Sequence, residues 1–209
     1  MKNQTSLPRI ITSWDDGDPL DVRIAQLLLE YQLPGIFFWP VKAVANKPAW
    51  ATDIASKFEI GAHTVNHVHL NAVDPEKAYD EIVDGRVWLQ QEYMQEINWF
   101  CYPRGRYNTD IMRMVDEAGY KYARTTKVGN WDGQSQALEI KADVHCYNRS
   151  EYAGKPWLMY AAMQWEIAKA EGWPTFHIWG HSHEIEKYGD WYRLEELFKN
   201  IYADIHSQR

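Results

Sequence analysis

Strand-like and helix-like segments alternate along almost the whole chain, and this alternation limits the available folds more than any other feature. Short β-rich runs are predicted at residues 9–14, 35–39, 59–63, 99–102, 122–126 and 175–180. Most intervals show helical spacing of apolar residues, as in the long helix that Pro75 opens. Because parallel strands need long crossover connections, the pattern predicts an α/β protein with strands wrapped by helices, as an open sheet or a barrel.

Several helix boundaries are also marked in the sequence. Asp21 is predicted to cap the first helix, residues 47–57 are predicted to form another, and Pro156 begins one that Gly172 ends. Residues 127–152 fit neither the strand pattern nor the helix pattern. The boundary signals therefore cover most of the chain but leave this stretch unassigned.

The length of 209 residues favours one well-filled core, so residues 1–209 are predicted to form a single domain. No apolar run approaches the roughly 20 residues of a membrane span. Residues 1–8 are polar and contain no apolar segment typical of a secretory signal. On these grounds the protein is expected to be cytoplasmic and not inserted in a membrane.

The charge and the aromatic content restrict the partners. A net charge of −7 without a basic tract disfavours nucleic acid, whose phosphates need clustered Lys and Arg. Two cysteines argue against a disulfide-stapled scaffold. Eleven tryptophans and thirteen tyrosines mostly suit core packing. Four tryptophans close to polar motifs could instead form walls for a sugar ring, namely Trp14, Trp39, Trp131 and Trp179.

Two adjacent carboxylates, Asp15 and Asp16, stand where the first predicted strand ends ahead of Gly17. Successive side chains of a regular strand point to opposite faces, so both carboxylates reach one site only where the strand breaks. One could then bind a metal while the other takes a proton from water. An Asx turn ahead of Pro19 would explain the same residues without catalysis.

Two histidines four residues apart, His63 and His67, stand at the end of the third predicted strand and just after it. They lie on one face if the segment turns helically, which suits two imidazoles on one metal. His69 is close but at the wrong offset. Such pairs are often ordinary surface or core histidines, but the aspartate pair at another strand end favours a metal site.

Two further motifs stand at predicted strand ends. Pro103 and Gly105 form a turn whose backbone N–H groups could face an oxyanion, and His181 could protonate a leaving group. Both features could also be purely structural. His177 alternates with apolar strand residues and is predicted to be packed, whereas His183 is a second candidate for the acid.

The order of the motifs resembles that of the polysaccharide deacetylases, the NodB-homology domain of carbohydrate esterase family four, from residue 9 to about residue 205. Residues 12–17, Thr-Ser-Trp-Asp-Asp-Gly, resemble the family's Thr-Phe-Asp-Asp-Gly motif. Residues 63–67, His-Thr-Val-Asn-His, match its His-Ser/Thr-x-x-His motif, and residues 178–181, Ile-Trp-Gly-His, resemble its Leu-x-x-His motif. The resemblance implies an irregular, incompletely closed (β/α) barrel.

The resemblance also implies roles for individual residues. Asp15 would be the catalytic base, His181 the general acid, and Ile178 part of the pocket for the acyl methyl group. The implied metal ligands are Asp16, His63 and His67. Other candidates for contact with the oxyanion or the substrate are Tyr102, Arg104, Arg124, Trp131 and Trp179.

The chain departs from the family pattern in two motifs. Cys101 stands where an Arg that orients the base is usual, and Arg104 stands where an aromatic residue is common. The backbone N–H of Arg104 could still serve the oxyanion, and Arg124 at the next strand end is the candidate for the missing charge. A surface salt bridge is the alternative for Arg124. The family's acidic motif before a Trp has only residues 130–132 as its nearest counterpart.

The sequence therefore predicts a metal-dependent hydrolase that removes an N-acyl group, N-acetyl first, from an amino sugar or glycan. One divalent metal is expected, with Zn²⁺ as the default for an Asp-His-His set and Co²⁺, Ni²⁺ or Fe²⁺ as alternatives. Rival hypotheses are an amidase or deformylase for a small or carrier-linked substrate, and a non-catalytic glycan-binding barrel. The oligomeric state does not follow from the sequence.

Overall fold

The computed structural model describes residues 7–207. Within them one sheet of eight strands has the order β6-β5-β4-β3-β2-β1-β8-β7, and every neighbouring pair is parallel. The strands are β1 (Arg9–Asp15), β2 (Ile36–Trp39), β3 (Glu59–Ala62), β4 (Trp99–Cys101), β5 (Tyr122–Val128), β6 (Ile140–Ala142), β7 (Val144–His145) and β8 (Thr175–Gly180).

The two edge strands of this sheet are neighbours in the chain. β6 and β7 stand at opposite ends of the strand order, yet only Asp143 separates them. Asp143 N–H donates to the carbonyl of His177 in β8 at 2.9 Å, which holds this junction beside the sheet. The sheet must therefore curl until its edges meet, and the result is a nearly closed parallel barrel. The predicted incompletely closed (β/α) barrel is confirmed.

Helices connect the strands on the outside of the barrel. Those of residues 7–207 are α1 (Asp21–Glu30), α2 (Val41–Val44), α3 (Ala49–Ala55), α4 (Pro75–Tyr93), α5 (Thr109–Glu117), α6 (Trp157–Glu171), α7 (Ser182–Tyr188) and α8 (Trp191–Ser207). Short 3₁₀ turns occur at Leu70–Ala72, Pro103–Gly105 and Ser150–Tyr152. Among these helices none combines the length and the apolar character that a transmembrane segment requires.

Alternate residues of the strands pack into two separate apolar regions. The larger region lies between strands and helices and includes Phe176 and Ile178 of β8 together with Trp165 of α6. The smaller one lies inside the barrel, and its buried members are Ile11, Ile36, Phe38, Trp99, Cys101, Trp131 and Ile140. This separation follows from the two-residue period of a strand, which sends neighbouring side chains to opposite faces.

Some predicted boundaries need correction. The helix predicted at residues 47–57 is α3 alone, because Pro48 is extended, with ψ 139°, directly before it. Residues 127–152 contain the end of β5 and both short edge strands, whose two or three residues give too little pattern to recognise. Asp21 does not cap α1. Its buried carboxyl group instead accepts hydrogen bonds from Ser182 Oγ at 2.6 Å and from Trp39 Nε1 at 3.1 Å.

Candidate active site at the carboxyl ends of the strands

A cavity of about 300 Å³ lies at the carboxyl ends of the barrel strands. Parallel strands bring all their carboxyl ends to one rim, so motifs far apart in sequence meet there. The five motif residues that line it are Asp15, Asp16, His63, His67 and His181. The other lining residues are Tyr102, Arg104, Thr126, Trp179, His183 and Glu184.

The chain turns sharply after β1, and this turn brings both aspartates to the cavity. Asp15 is the last residue of the strand, and Asp16 and Gly17 follow with φ of 80° and 67°. Two successive residues in the left-handed region break the alternation of a strand, which otherwise would separate the two carboxylates. The predicted strand break is present, and it begins one residue earlier than Gly17.

Asp16, His63 and His67 form a compact group of metal-ligand type. Asp16 Oδ1 lies 3.3 Å from Nε2 of His67 and 3.6 Å from Nε2 of His63. This oxygen is buried and has no hydrogen-bond partner in the described part of the chain. A buried, unpartnered carboxylate oxygen that faces two imidazole nitrogens fits a shared cation, so the donor set suits a divalent metal.

The spacing predicted that a helical turn brings the two histidines together, but the structure has no such turn. Residues 63–69 contain no helix, and Thr64 and His67 have φ of 65° and 56°. The loop is held by Thr64 Oγ1, which accepts from His67 N–H at 2.9 Å, and by Glu81 of α4, which accepts from Asn66 N–H at 2.7 Å. Left-handed backbone with side-chain hydrogen bonds thus replaces the expected helix face.

A backbone carbonyl orients the imidazole of His63. Its Nδ1 lies 2.7 Å from the carbonyl oxygen of Cys101, the last residue of β4. With the Nδ1 proton donated to that oxygen, Nε2 is the nitrogen that faces Asp16, and a metal would bind there in place of any proton that Nε2 carries. Burial lowers the pKa of His67 to about 4, with help from the nearby His63. Neutral imidazole is the form of histidine that binds a metal.

Asp15 is buried in an ion pair. Arg124 in β5 is completely buried, and its Nη2 donates to Asp15 Oδ2 and to Cys101 Sγ, the latter at 2.9 Å. Cys101 and Arg124 are paired residues of β4 and β5, so the guanidinium reaches the carboxylate from the strand beside the one that carries Cys101. The surface salt bridge considered for Arg124 is excluded because the side chain is buried.

The surrounding charges keep both carboxylates ionised. Burial alone would raise the pKa of Asp15, but the Arg124 guanidinium and the His63 imidazole outweigh burial and hold the pKa below its ordinary value. The pKa of Asp16 is likewise held well below its usual range, because the imidazoles of His63 and His181 outweigh the effect of burial. Both groups are therefore carboxylates at neutral pH.

His181 follows β8 directly and faces both aspartates. Its Nε2 lies 3.9 Å from Asp15 Oδ2 and 3.7 Å from Asp16 Oδ2. Its Nδ1 lies 2.7 Å from Glu184 Oε2 in the first turn of α7. His177, four residues earlier, is completely buried with Nε2 2.9 Å from Ser13 Oγ, as predicted for a packed histidine.

Apart from Arg124, five side chains were proposed to contact the oxyanion or the substrate. Three of them line the cavity and two lie away from it. Tyr102, Arg104 and Trp179 line the cavity. Ile178 does not, because its side chain leaves the opposite face of β8 and is completely buried among the helices. Trp131 packs inside the barrel against Trp99, the first residue of β4, and therefore lies towards the amino ends of the strands.

The other tryptophans proposed as sugar walls belong to the core. Trp14 and Trp39 are completely buried, and their indole N–H groups donate to Thr12 Oγ1 and to Asp21. Trp179 remains at the cavity, where one of its faces stacks on His145 with ring centroids 3.7 Å apart. Closeness to a motif in the sequence therefore does not show whether a tryptophan lines the cavity or packs in the core. The register of the strand that carries it does.

Three cavity neighbours were not predicted from the sequence: Thr126, His145 and Glu184. Thr126 and His145 belong to strands that the pattern defines poorly at their ends. Glu184 is three residues after His181, a spacing that allows direct contact within one turn of a helix and is visible in the sequence. That spacing was the one available signal.

Gly105 gives a stability prediction at the rim of the cavity. It has φ of 63°, and a Cβ there would clash with Oγ1 of Thr126. Gly105→Ala should cost about 1 kcal/mol for left-handed backbone and a further ~1–3 kcal/mol for overpacking. Gly154→Ala is the matched control, because Gly154 has φ of 77° and nothing within 4 Å of its added Cβ. Equal losses in urea unfolding would show that the contact with Thr126 is not restrictive.

Comparison with known proteins agrees with the motif order. Residues 2–123 match the family model described as polysaccharide deacetylase. A peptidoglycan-N-acetylglucosamine deacetylase of Bacillus cereus is 30% identical over 115 residues, which cover 54% of this chain and 54% of that protein. The chain spans about half the length of the curated relatives it matches, 45% of one and 54% of the other.

Solved structures show the same fold at low sequence identity. A Mycobacterium smegmatis protein classed with the polysaccharide deacetylases gives a TM-score of 0.73 at 15% identity, covering 95% of this chain and 85% of that one. A carbohydrate esterase family four pseudoenzyme from Bacillus anthracis gives 0.59 at 15% identity, covering 94% and 62%. Because an inactive relative shares the barrel, the fold alone does not establish catalysis.

Proposed function

Because the chain belongs to the polysaccharide deacetylase family, we propose that it is a metal-dependent hydrolase that removes an N-acyl group, N-acetyl first, from an amino sugar or glycan. The observation that carries the proposal is the buried, unpartnered Oδ1 of Asp16 between the two imidazoles of His63 and His67. A glycan-binding barrel has no need for this donor set beside a second carboxylate and a third histidine.

The family implies a divalent metal, and the donor set fits one. Asp16, His63 and His67 would hold it, leaving room for substrate and water as catalytic metal sites do. When bound, the metal would act as a Lewis acid that polarises the acyl carbonyl and makes water easier to deprotonate. Zinc is the proposed ion, and the same donors also suit Co²⁺, Ni²⁺ or Fe²⁺.

Asp15 is the proposed general base. Arg124 fixes one of its oxygens, and the other, Oδ1, is buried without a hydrogen-bond partner among residues 7–207. A carboxylate that is ionised, immobilised through one oxygen and free at the other can accept the proton of an attacking water. Arg124 is therefore the proposed source of the positive charge that orients the base, in place of the Arg that is usual where Cys101 stands.

His181 is the proposed general acid, and the loop at Arg104 is the proposed oxyanion contact. The imidazole Nε2 of His181 is directed into the cavity towards the two carboxylates, where an amine leaving group would form. Arg104 has left-handed backbone, with φ of 55°, in the 3₁₀ turn that lines the other side. Base and acid therefore stand around one reaction volume, as amide hydrolysis requires.

The pH dependence of kcat/KM should be bell-shaped if these roles are right. Burial lowers the pKa of His181, but its hydrogen bond to Glu184 and the charge of Asp15 outweigh burial, so the pKa lies above the ordinary 6.5. The acid form then persists above that pH, and activity falls as pH rises through the raised pKa. His181→Ala should remove the alkaline limb, whereas His183→Ala should retain it. Near-full activity of His181→Ala with an inactive His183→Ala would move the acid to residue 183.

Acetate release from a panel of N-acetylglucosamine monomers and oligomers tests the proposed function. Metal-dependent release from at least one compound is expected, because an acidic protein favours a neutral substrate whose product is a cationic amine. If the panel gives none while a formamido sugar or small cyclic amide is hydrolysed and a chelator stops the reaction, the amidase or deformylase alternative holds. If the metal-loaded protein binds these sugars without hydrolysing any amide, the non-catalytic alternative holds.

A further inference from the structure

We propose that Glu184 is a positioning residue that orients His181 for proton donation, and that His145 holds Glu184 in place. This inference rests on the proposed function of His181. A single oxygen, Glu184 Oε2, lies 2.7 Å from His181 Nδ1 and 3.1 Å from His145 Nε2. The carboxylate therefore accepts from two imidazoles that come from different parts of the barrel, one after β8 and one at the end of β7.

The hydrogen bond to Glu184 determines which nitrogen of His181 faces the reaction. With Nδ1–H donated to the carboxylate, Nε2 is the atom 3.9 Å from Asp15 Oδ2. No other hydrogen-bond partner of the His181 ring occurs in the described part of the chain. Without Glu184 the ring would be free to rotate about its side-chain torsions, and a misplaced donor loses much of its catalytic effect.

His145 is itself fixed by stacking. Its ring lies on Trp179 with an interplanar angle of 8°, and the Arg124 guanidinium lies 4.2 Å from the centroid of Trp179. The side chains of Arg124, Trp179, His145 and Glu184 thus form a continuous wall that joins the proposed base to the proposed acid. Arg124, Trp179 and His145 are almost completely buried and Glu184 is three-quarters buried, which limits competition from water for these contacts.

The alternative is a purely structural role for Glu184 at the start of α7. His181 is the residue before α7, and Glu184 occupies the position from which a glutamate often stabilises a helix start. A helix-capping role would make Glu184 important for folding and equally important for every substrate. A positioning role through His181 would matter only where the leaving group needs a proton.

The test compares an N-acetyl amino sugar with 4-nitrophenyl acetate, whose leaving group departs without protonation. Glu184→Ala should lower kcat on the amide by about 10- to 100-fold, the usual effect of removing a hydrogen-bonded orienting group, with little change in KM or metal content. Its effect on the ester should be less than about 3-fold, and Glu184→Gln, which keeps an acceptor, should recover part of the amide activity.

Two further variants show whether Glu184 acts through His181 and whether His145 supports Glu184. His181→Ala combined with Glu184→Ala should be no slower on the amide than His181→Ala alone, because residues acting as one unit are not additive. His145→Phe keeps a ring on Trp179 but offers Glu184 no hydrogen bond, and it should show a smaller amide-selective loss. Glu186→Ala is the matched control, since Glu186 also lies in α7 and accepts from an indole N–H, that of Trp191 at 2.5 Å.

Equal losses on amide and ester, or additive losses in the double variant, would overturn the positioning role, and an unaffected His145→Phe would remove His145 from it. The ¹⁵N chemical shifts of the His181 ring in the zinc-loaded protein give an answer that does not depend on activity. Measured above the pKa of His181, where the ring is neutral, the Nδ1-protonated tautomer should dominate in the wild type and lose its dominance in Glu184→Ala. If the wild type hydrolyses neither substrate, the proposed function fails, and an unchanged tautomer in Glu184→Ala would separately overturn the inference.

Discussion

Replacing His63 or His67 with alanine should abolish metal binding and activity together. Each substitution removes one of the three proposed protein donors, and the remaining two would be too few to hold a catalytic divalent metal tightly. Elemental analysis of protein purified to equal homogeneity measures the effect. His69→Ala is the control, because His69 is exposed and two residues from His67 but is not in the donor group. Full metal content in both single variants would contradict the assignment of this pair.

Asp15→Asn should keep the metal and lower kcat by about 10²- to 10⁴-fold, the usual contribution of a positioned general base. Asp16→Asn should instead lose the metal, so metal analysis separates the two neighbours. Asn at position 15 keeps the shape but leaves the buried Arg124 without a counter-charge, so stability should also fall by roughly 3–5 kcal/mol. The rate is therefore taken per folded molecule, with the folded fraction measured by circular dichroism.

The opposite pattern of metal content would assign the aspartates differently. If Asp15→Asn loses the metal while Asp16→Asn retains it, Asp15 is the ligand and Asp16 the base. The reversed assignment is structurally possible, because Asp15, His63 and Cys101 also lie close enough together to form a donor group. The engagement of Asp15 Oδ2 with Arg124, and the position of Asp16 Oδ1 between two imidazoles, favour the original assignment.

The barrel and the position of its site could be predicted from the sequence for simple physical reasons. Apolar β-rich runs such as β8 are recognisable because both faces of a barrel strand are buried. Polar residues directly after such runs, for example Asp15 and His181, must then lie at one rim of the barrel. Neither step requires the angle or the order of the strands, so neither depends on long-range packing.

Side-chain direction could not be predicted in the same way. Ile178 and Trp179 are neighbours in β8, and a shift of one residue in register exchanges the one that faces the helices with the one that lines the cavity. Trp131 follows β5 in a segment without periodicity, and its position inside the barrel depends on contacts with Trp99 and Tyr122. These positions are fixed by tertiary packing and have no local signal.

Backbone conformation explains the remaining differences. The predicted helical turn between His63 and His67 is replaced by left-handed residues whose cost is offset by hydrogen bonds to Thr64 and Glu81. Glu81 is fifteen residues from Asn66, its partner, and the contact exists only after α4 packs on the barrel. His63 and His67 are therefore brought together by a loop conformation that their four-residue spacing did not indicate.

Stepwise addition of Zn²⁺ to chelator-treated protein, with acetate release from N-acetylglucosamine oligomers measured at each step, shows directly whether deacetylation depends on a metal in this site. We expect no release without metal, a linear rise on addition, and a plateau at one equivalent per chain, because the proposed donor group of Asp16, His63 and His67 would hold one ion. Unchanged release from protein shown by elemental analysis to be metal-free would contradict a metal-dependent deacetylase site.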